Sequence, residues 1–165
     1  LWKLPIVYVI ENNKYGMGTA VERSSSIKAL YKRGDTYALA NAEVDGQDVF
    51  AVRDAISVAL ERARAEYLPT LLEIKTYRYT GHSMSDAVSG TYRTKEELEE
   101  YRKRDPVILL ENRMKAAGEL SGTELVDLEK EIASVVQDAW DFAEQSPEPP
   151  PEALYEDVLV DTTSG

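Results

Sequence analysis

Residues 48–77 read DVFAVRDAISVALERARAEYLPTLLEIKTY, and this stretch decides the fold class. Its first part carries apolar side chains at helical spacing, and Pro69 follows that helix. The helically spaced residues are Val52, Ile56, Ala59, Leu60, Ala63 and Tyr67. Residues 70–77 then read as a strand, and residues 37–44 form a strand candidate before the helix. Strand, helix, strand in this order is typical of a parallel sheet, so we predict the α/β class.

The segments upstream extend this pattern. Residues 6–10 are apolar and β-branched without alternation, which predicts a parallel strand covered on both faces. A polar loop follows over residues 11–19, and residues 24–32 predict a short helix closed by Gly34. Because the sequence opens at Leu1 almost directly on a core strand, we expect it to be a piece of a longer chain.

The segments downstream change character. Residues 81–91 are rich in Gly and Ser without periodicity, which predicts a long loop. Three helix starts follow, at Thr94 with Glu97, at Asp105 with Pro106, and at Ser121 with Glu124. The last helix is predicted to bury one stripe formed by Leu125, Leu128, Ile132, Val135, Val136 and Ala139. We therefore divide the chain into an α/β region at 1–92, a helical extension at 93–146 and a Pro-rich extended tail at 147–165.

Composition excludes several classes of site and partner. The chain has 165 residues, 43% of them hydrophobic, and a net charge of −11, which argues against nucleic acid or an anionic membrane surface as a partner. Residues 81–165 hold 20 acidic and 8 basic side chains, whereas residues 1–80 hold 10 and 11. With no cysteine and one histidine, the sequence excludes disulfides, thiolate catalysis and sites of two histidines.

Two polar segments follow predicted strands, where ligands bind in open α/β sheets. In the first, the side-chain oxygen of Asn13 and the main-chain carbonyl of Tyr15 can face one hard cation such as Mg²⁺. In the second, Arg78 and His82 can jointly hold a phosphate group. An ordinary strand-to-loop turn and a surface loop with an uninvolved histidine are the alternatives, and the pattern alone leaves them open.

The two segments also occur in a recognisable order. The motifs are Glu11-Asn12-Asn13-Lys14-Tyr15-Gly16-Met17-Gly18-Thr19, Tyr31-Lys32-Arg33-Gly34-Asp35, Val44-Asp45-Gly46, Tyr77-Arg78-Tyr79-Thr80-Gly81-His82-Ser83-Met84-Ser85-Asp86 and Asp105-Pro106. In this combination the chain closely resembles, over essentially its whole length, the alpha subunits of the thiamine-diphosphate-dependent pyruvate dehydrogenases. The resemblance implies that residues 1–92 are the C-terminal portion of a thiamine-diphosphate-binding domain.

The resemblance implies an activity and partners. Such subunits take part in the oxidative decarboxylation of pyruvate and in acetyl transfer to lipoyl groups, with thiamine diphosphate and Mg²⁺ as cofactors. The implied partners are a beta subunit, in an alpha2-beta2 heterotetramer, and the dihydrolipoyl acetyltransferase component. The implied location is the bacterial cytoplasm, or the mitochondrial matrix if the chain is eukaryotic.

The resemblance also implies residue roles. The residues matching Asn13 and Tyr15 give Mg²⁺ a side-chain oxygen and a main-chain carbonyl, respectively. The residues matching Arg78 and His82 contact the diphosphate or the active centre, which makes His82 the candidate catalytic residue. Ser83 matches a position of regulatory phosphorylation in the mitochondrial relatives.

One departure from the family pattern is large. The family's Gly-Asp-Gly motif, which supplies a third Mg²⁺ ligand, would fall before Leu1, so we expect this chain to be inactive alone. Two alternatives remain at this point. One is the alpha subunit of a branched-chain 2-oxo acid or acetoin dehydrogenase, and the other is a non-catalytic helical interaction fragment.

Overall fold

Three parallel strands form the main sheet of the computed structural model, which describes residues 1–83 and 94–156. The strands are β1 (Val7–Asn12), β4 (Ala40–Asp45) and β5 (Thr70–Lys75), and β5 lies between the other two. The register places Asn12 and Asp45 on either side of Lys75, so all three strands end level at one edge. The predicted α/β class with a parallel sheet is confirmed.

Helix α2 (Val49–Glu66) covers one face of this sheet. It begins at Asp48, whose carboxylate accepts hydrogen bonds from the main-chain nitrogens of the first turn, and it ends at Tyr67 in the left-handed conformation. Side chains that alternate toward this face meet the helix in one apolar cluster. The buried members of that cluster are Val44, Ala59, Leu72 and Ile74.

A 3₁₀ helix (Leu30–Tyr37) packs against β4 and β5, and Tyr31 and Gly34 place it over the opposite face. A side-chain carbon on Gly34 would lie 3.0 Å from Cβ of Asn41 on β4, so the helix needs glycine for this close approach. The helix predicted over residues 24–32 is wrong, because the structure has only a single turn, α1 (Val21–Ser24), before the 3₁₀ helix. The hydroxyls of Ser24 and Ser25 bond nearby carbonyls, a competition that disfavours helix continuation.

Strand β1 is less covered than its sequence predicts. Tyr8 is 46% exposed and Val9, on the other face, 48% exposed, so the expectation of cover on both faces is wrong within the described chain. The predicted polar loop that follows contains a short antiparallel hairpin, made of β2 (Tyr15–Gly16) and β3 (Thr19–Ala20). This hairpin fixes the backbone just beyond the end of β1.

Two short helices follow β5 in the chain. Helix α3 (Lys95–Arg102) begins at Thr94 and α4 (Pro106–Ala117) at Asp105, and both caps accept main-chain hydrogen bonds as predicted. Most of the predicted loop at 81–91 lies outside the described residues. The chain divides into two compact units after Glu119. The domain boundaries suggested by the sequence, after residues 92 and 146, stay predictions.

The second unit, Leu120–Gly165, contains helix α5 (Gly122–Gln145). The capping box predicted for Ser121 and Glu124 is confirmed. The predicted burial of its apolar stripe is wrong in this chain, where Leu128, Ile132, Val135 and Val136 are all exposed. A second 3₁₀ helix (Pro151–Tyr155) lies within the predicted tail. In the two described ranges, no helix is long and apolar enough to span a bilayer.

Candidate functional site

The carboxyl edge of the sheet brings the two predicted segments together. Strands β1 and β5 are neighbours, and the Thr76 nitrogen donates to the Asn12 carbonyl at 3.0 Å just past the last strand pair. The segments that follow these strands therefore leave the sheet side by side. A cleft of about 490 Å³ lies at this edge, lined in part by Asn12, Lys14, Lys75 and Tyr101.

Two consecutive asparagine turns shape the segment after β1. Asn12 Oδ1 accepts a hydrogen bond from the Lys14 nitrogen at 3.1 Å, and Asn13 Oδ1 accepts one from the Tyr15 nitrogen at 3.2 Å. Lys14, which lies between Asn13 and Tyr15, adopts the left-handed conformation, with φ 73°. The predicted pair Asn13 and Tyr15 is thus joined directly, and both residues are half-buried.

The predicted pair Arg78 and His82 also lies together. The Arg78 guanidinium donates to the carbonyls of Thr80 and Gly81 at 3.2 Å, and its Nη2 lies 3.4 Å from His82 Nδ1. The His82 ring is exposed while Arg78 is half-buried. This turn presents a guanidinium and an imidazole side by side, which is the arrangement expected for contact with an anionic group.

A cluster of four tyrosines joins the two segments. Tyr77 packs edge-on against Tyr15 and Tyr79, with ring centroids 6.3 and 5.4 Å away, and stacks on Tyr101 at 3.8 Å. The Tyr79 hydroxyl donates to the Tyr101 carbonyl and accepts from Gln47, both at 2.9 Å. Burial raises the pKa of Tyr79, so the cluster keeps this donor protonated.

Helix α3 holds the first segment through its side chains. The Tyr15 hydroxyl donates to the Glu97 carboxylate at 3.0 Å, and the Lys14 ammonium donates to the Tyr101 hydroxyl. The same ammonium lies 4.7 Å from the centre of the Tyr101 ring, a cation–π distance. The sequence assigned Glu97 to a capping box with Thr94; the structure shows the bond from the Glu97 nitrogen to Thr94 Oγ1 at 3.1 Å, and it places the Glu97 carboxylate against Tyr15.

A buried carboxylate lies beneath the first segment. Glu73 on β5 is fully inaccessible to solvent, and its Oε1 accepts a hydrogen bond from Asn12 Nδ2 at 2.6 Å. Its Oε2 accepts one from the Tyr31 nitrogen at 2.9 Å. The sequence analysis missed this residue, although a single acid inside the apolar run of β5 is a visible signal that a polar partner lies across the sheet.

Two exposed ion pairs border the cleft. Lys75 lies 2.6 Å from Glu43, and Arg104 lies 2.7 Å from Asp45. The hydrogen bond that the Lys75 ammonium donates to Glu43 is the main cause of a raised pKa at Lys75. The side chains of Lys75 and Arg104 are therefore each matched by a carboxylate.

A family model described as "Dehydrogenase E1 component" matches residues 1–152 of the chain. The chain belongs to this dehydrogenase E1 family. The match covers both segments at the carboxyl edge, as well as the helices that follow.

The individual relatives are alpha subunits of pyruvate dehydrogenase E1 components. This chain is 42% identical to the "Pyruvate dehydrogenase E1 component subunit alpha" of Rickettsia bellii and to that of Rhizobium meliloti, over 97% of this chain in each case. It is 46% identical, over 93% of its length, to the somatic mitochondrial form from Sus scrofa. The chain spans 48%, 46% and 39% of the lengths of these three relatives, so it corresponds to less than half of each.

The donor atoms of this E1 chain fit a hard divalent ion better than a soft one. An amide oxygen at Asn13 and main-chain oxygens beside it are ligands that Mg²⁺ accepts, and Mg²⁺ completes its shell with water and phosphate oxygens. Within the described residues, no group of three or more histidine, aspartate or glutamate side chains could hold a metal. The oxygen atoms of the sequence-predicted pair, at Asn13 and Tyr15, are of the kind that such an ion accepts.

Proposed function

We propose that this chain is part of the alpha subunit of a pyruvate dehydrogenase E1 component. The observation that carries the proposal is the side-by-side placement of the asparagine turns and the Arg78–His82 turn at one sheet edge. The relatives named above support the assignment of pyruvate as substrate. The subunit would act with a beta subunit in an alpha2-beta2 heterotetramer and with a dihydrolipoyl acetyltransferase component.

The residues present would hold thiamine diphosphate through Mg²⁺. Asn13 would give its side-chain oxygen to the ion and Tyr15 its main-chain carbonyl, while Arg78 would donate to the anionic diphosphate. When bound, the thiazolium ring supplies the electron sink that decarboxylation of a 2-oxo acid needs. The relatives come from bacteria and mitochondria, and we place the chain in the bacterial cytoplasm or, if it is eukaryotic, in the mitochondrial matrix.

His82 would be the catalytic residue that this chain contributes. Its ring is exposed, and its Nδ1 lies 3.4 Å from Nη2 of Arg78, in the segment that leaves the sheet beside the asparagine turns. An imidazole can hold or move a proton near neutral pH.

Calorimetry on the full-length alpha subunit with its beta partner tests the proposal. Thiamine diphosphate should bind when Mg²⁺ is present, and Asn13→Ala should weaken this binding by about 10-fold or more because one ligand of the ion is lost. Asn112→Ala is the matched control, since Asn112 is exposed on α4. Absence of Mg²⁺-dependent binding in the unmodified protein contradicts the proposal, and unchanged affinity in Asn13→Ala removes Asn13 from the site.

A further inference from the structure

The burial of Glu73 carries a free-energy cost. This side chain is fully inaccessible, on the central strand, and a buried carboxylate is costly unless donors surround it. Its two oxygens take neutral N–H donors from different elements, Asn12 at the end of β1 and Tyr31 in the 3₁₀ helix. If position 73 served only for packing, an apolar side chain of similar size would fill it at a lower free-energy cost than a carboxylate.

The bond to Glu73 fixes which way the Asn12 amide faces. Because Nδ2 donates to the carboxylate, Oδ1 must face the opposite way, where it accepts from the Lys14 nitrogen. Asn12 is itself buried, at 8% exposure, and its carbonyl accepts from Thr76. The amide therefore cannot rotate without losing hydrogen bonds that solvent does not replace.

The amide of Asn12 in turn shapes the turn that carries the predicted ligands. Lys14 is the residue between Asn13 and Tyr15, and its left-handed backbone is held by the bond to Asn12 Oδ1. A change at Lys14 would rotate the peptide that precedes Tyr15, and with it the relation between the Asn13 side chain and the Tyr15 carbonyl. Glu73 thus controls two ligand atoms that it does not touch.

We propose that Glu73, acting through Asn12, is a positioning residue for the metal-binding turn at Asn13 and Tyr15. The inference rests on the proposed function, because it assumes that this turn holds Mg²⁺ with a diphosphate. Groups behind metal ligands commonly change metal affinity by about 10- to 100-fold when they are altered. The same range is expected here.

An exchange of donor and acceptor tests the pair. In Glu73→Gln the amide can accept from only one of its two N–H partners, and in Asn12→Asp two carboxylates face each other in a buried place. In the double variant Asn12→Asp/Glu73→Gln, Gln at 73 donates to Asp at 12 and still accepts from Tyr31, while Asp at 12 still accepts from Lys14. The double variant thus has the wild-type shape, net charge and number of hydrogen bonds.

The measurement is the Mg²⁺-dependent dissociation constant of thiamine diphosphate, by calorimetry on the full-length alpha subunit with its beta partner. Each single variant should bind about 10- to 100-fold more weakly, and the double variant should regain most of that loss. Ile74→Ala is the control, since it lies on the same strand facing α2 and should lower the melting temperature without changing the dissociation constant.

Three results would overturn the inference while the proposed function stands. The first is a Glu73→Gln protein that binds like the wild type, and the second is a double variant no better than the weaker single one. The third is an Ile74→Ala protein that loses as much affinity as Glu73→Gln, which would assign the effect to stability. If the wild type itself shows no Mg²⁺-dependent binding, the proposed function fails and the inference with it. If Glu73→Gln does not fold, recovery from Asn12→Asp to the double variant remains the deciding comparison.

Discussion

The two faces of the sheet are built from the same strands but are stabilised by different interactions. On one face, Leu72 and Ile74 of β5 pack against α2 in an apolar cluster. On the other face, Glu73 lies between them in sequence and connects β1, β5 and the 3₁₀ helix through directional hydrogen bonds. Apolar burial tolerates small shifts, whereas hydrogen bonds fix angles, so the first face supports the fold and the second orients the turn at its edge.

The largest effect on stability should come from the apolar face. Leu72 is 3% exposed at the centre of the cluster, so Leu72→Ala leaves a cavity and should lower the free energy of unfolding by about 2–5 kcal/mol. Denaturant unfolding of the full-length protein measures this loss. The cofactor affinity of the molecules that remain folded should stay near the wild-type value. A loss of affinity as large as the one expected for Asn13→Ala would show that the apolar face also orients the turn at the sheet edge.

The opposite result is expected at the carboxyl edge. His82→Ala removes an exposed side chain, so the free energy of unfolding should change by less than about 0.5 kcal/mol. Turnover with pyruvate, or acetyl transfer to the lipoyl group, should fall by about 100-fold or more if the imidazole transfers a proton. His82→Gln serves as the second variant, because it keeps a polar group of similar reach, and normal complex activity in both variants would refute the role of His82.

The smallest effect should come from the exposed ion pair beside the cleft. Lys75 and Glu43 are 39% and 42% exposed, so Lys75→Met should change the free energy of unfolding by less than about 1 kcal/mol after solvent screening. Because the pKa of Lys75 is raised in the folded state, its contribution is present below the ordinary pKa of 10.5 and is lost as pH rises through the folded value.

Unfolding curves from neutral to alkaline pH give the test for Lys75. The difference between wild type and Lys75→Met should shrink only in the alkaline range above the ordinary lysine pKa. If the difference in the free energy of unfolding instead disappears near neutral pH, a group other than Lys75 causes the pH dependence.

The sequence was most informative where local rules decide the structure. Helix α2 follows from its apolar spacing and the Asp48 cap, and β5 follows from an apolar run after Pro69. The pairing of Asn13 with Tyr15 also follows from a local rule, since an asparagine side chain commonly bonds the main chain two residues on.

The sequence was least informative where distant residues decide the structure. One partner of Glu73, Asn12, lies 61 residues away, and the parallel register of β1 and β5 brings the two together. The apolar stripe of α5 illustrates a second limit. Periodicity shows that a helix has an apolar face, but it does not show which part of the protein or which partner covers that face. The same limit explains the exposure of Tyr8 and Val9 on β1.

The bond between Tyr79 and Tyr101 ties together two points that lie 22 residues apart in the chain. The stacked rings of Tyr77 and Tyr101 reinforce the same connection. Tyr101 also meets Lys14 through its hydroxyl and its ring. One helix residue thus anchors the turn after β1 and the segment after β5, so the two predicted segments share a single support.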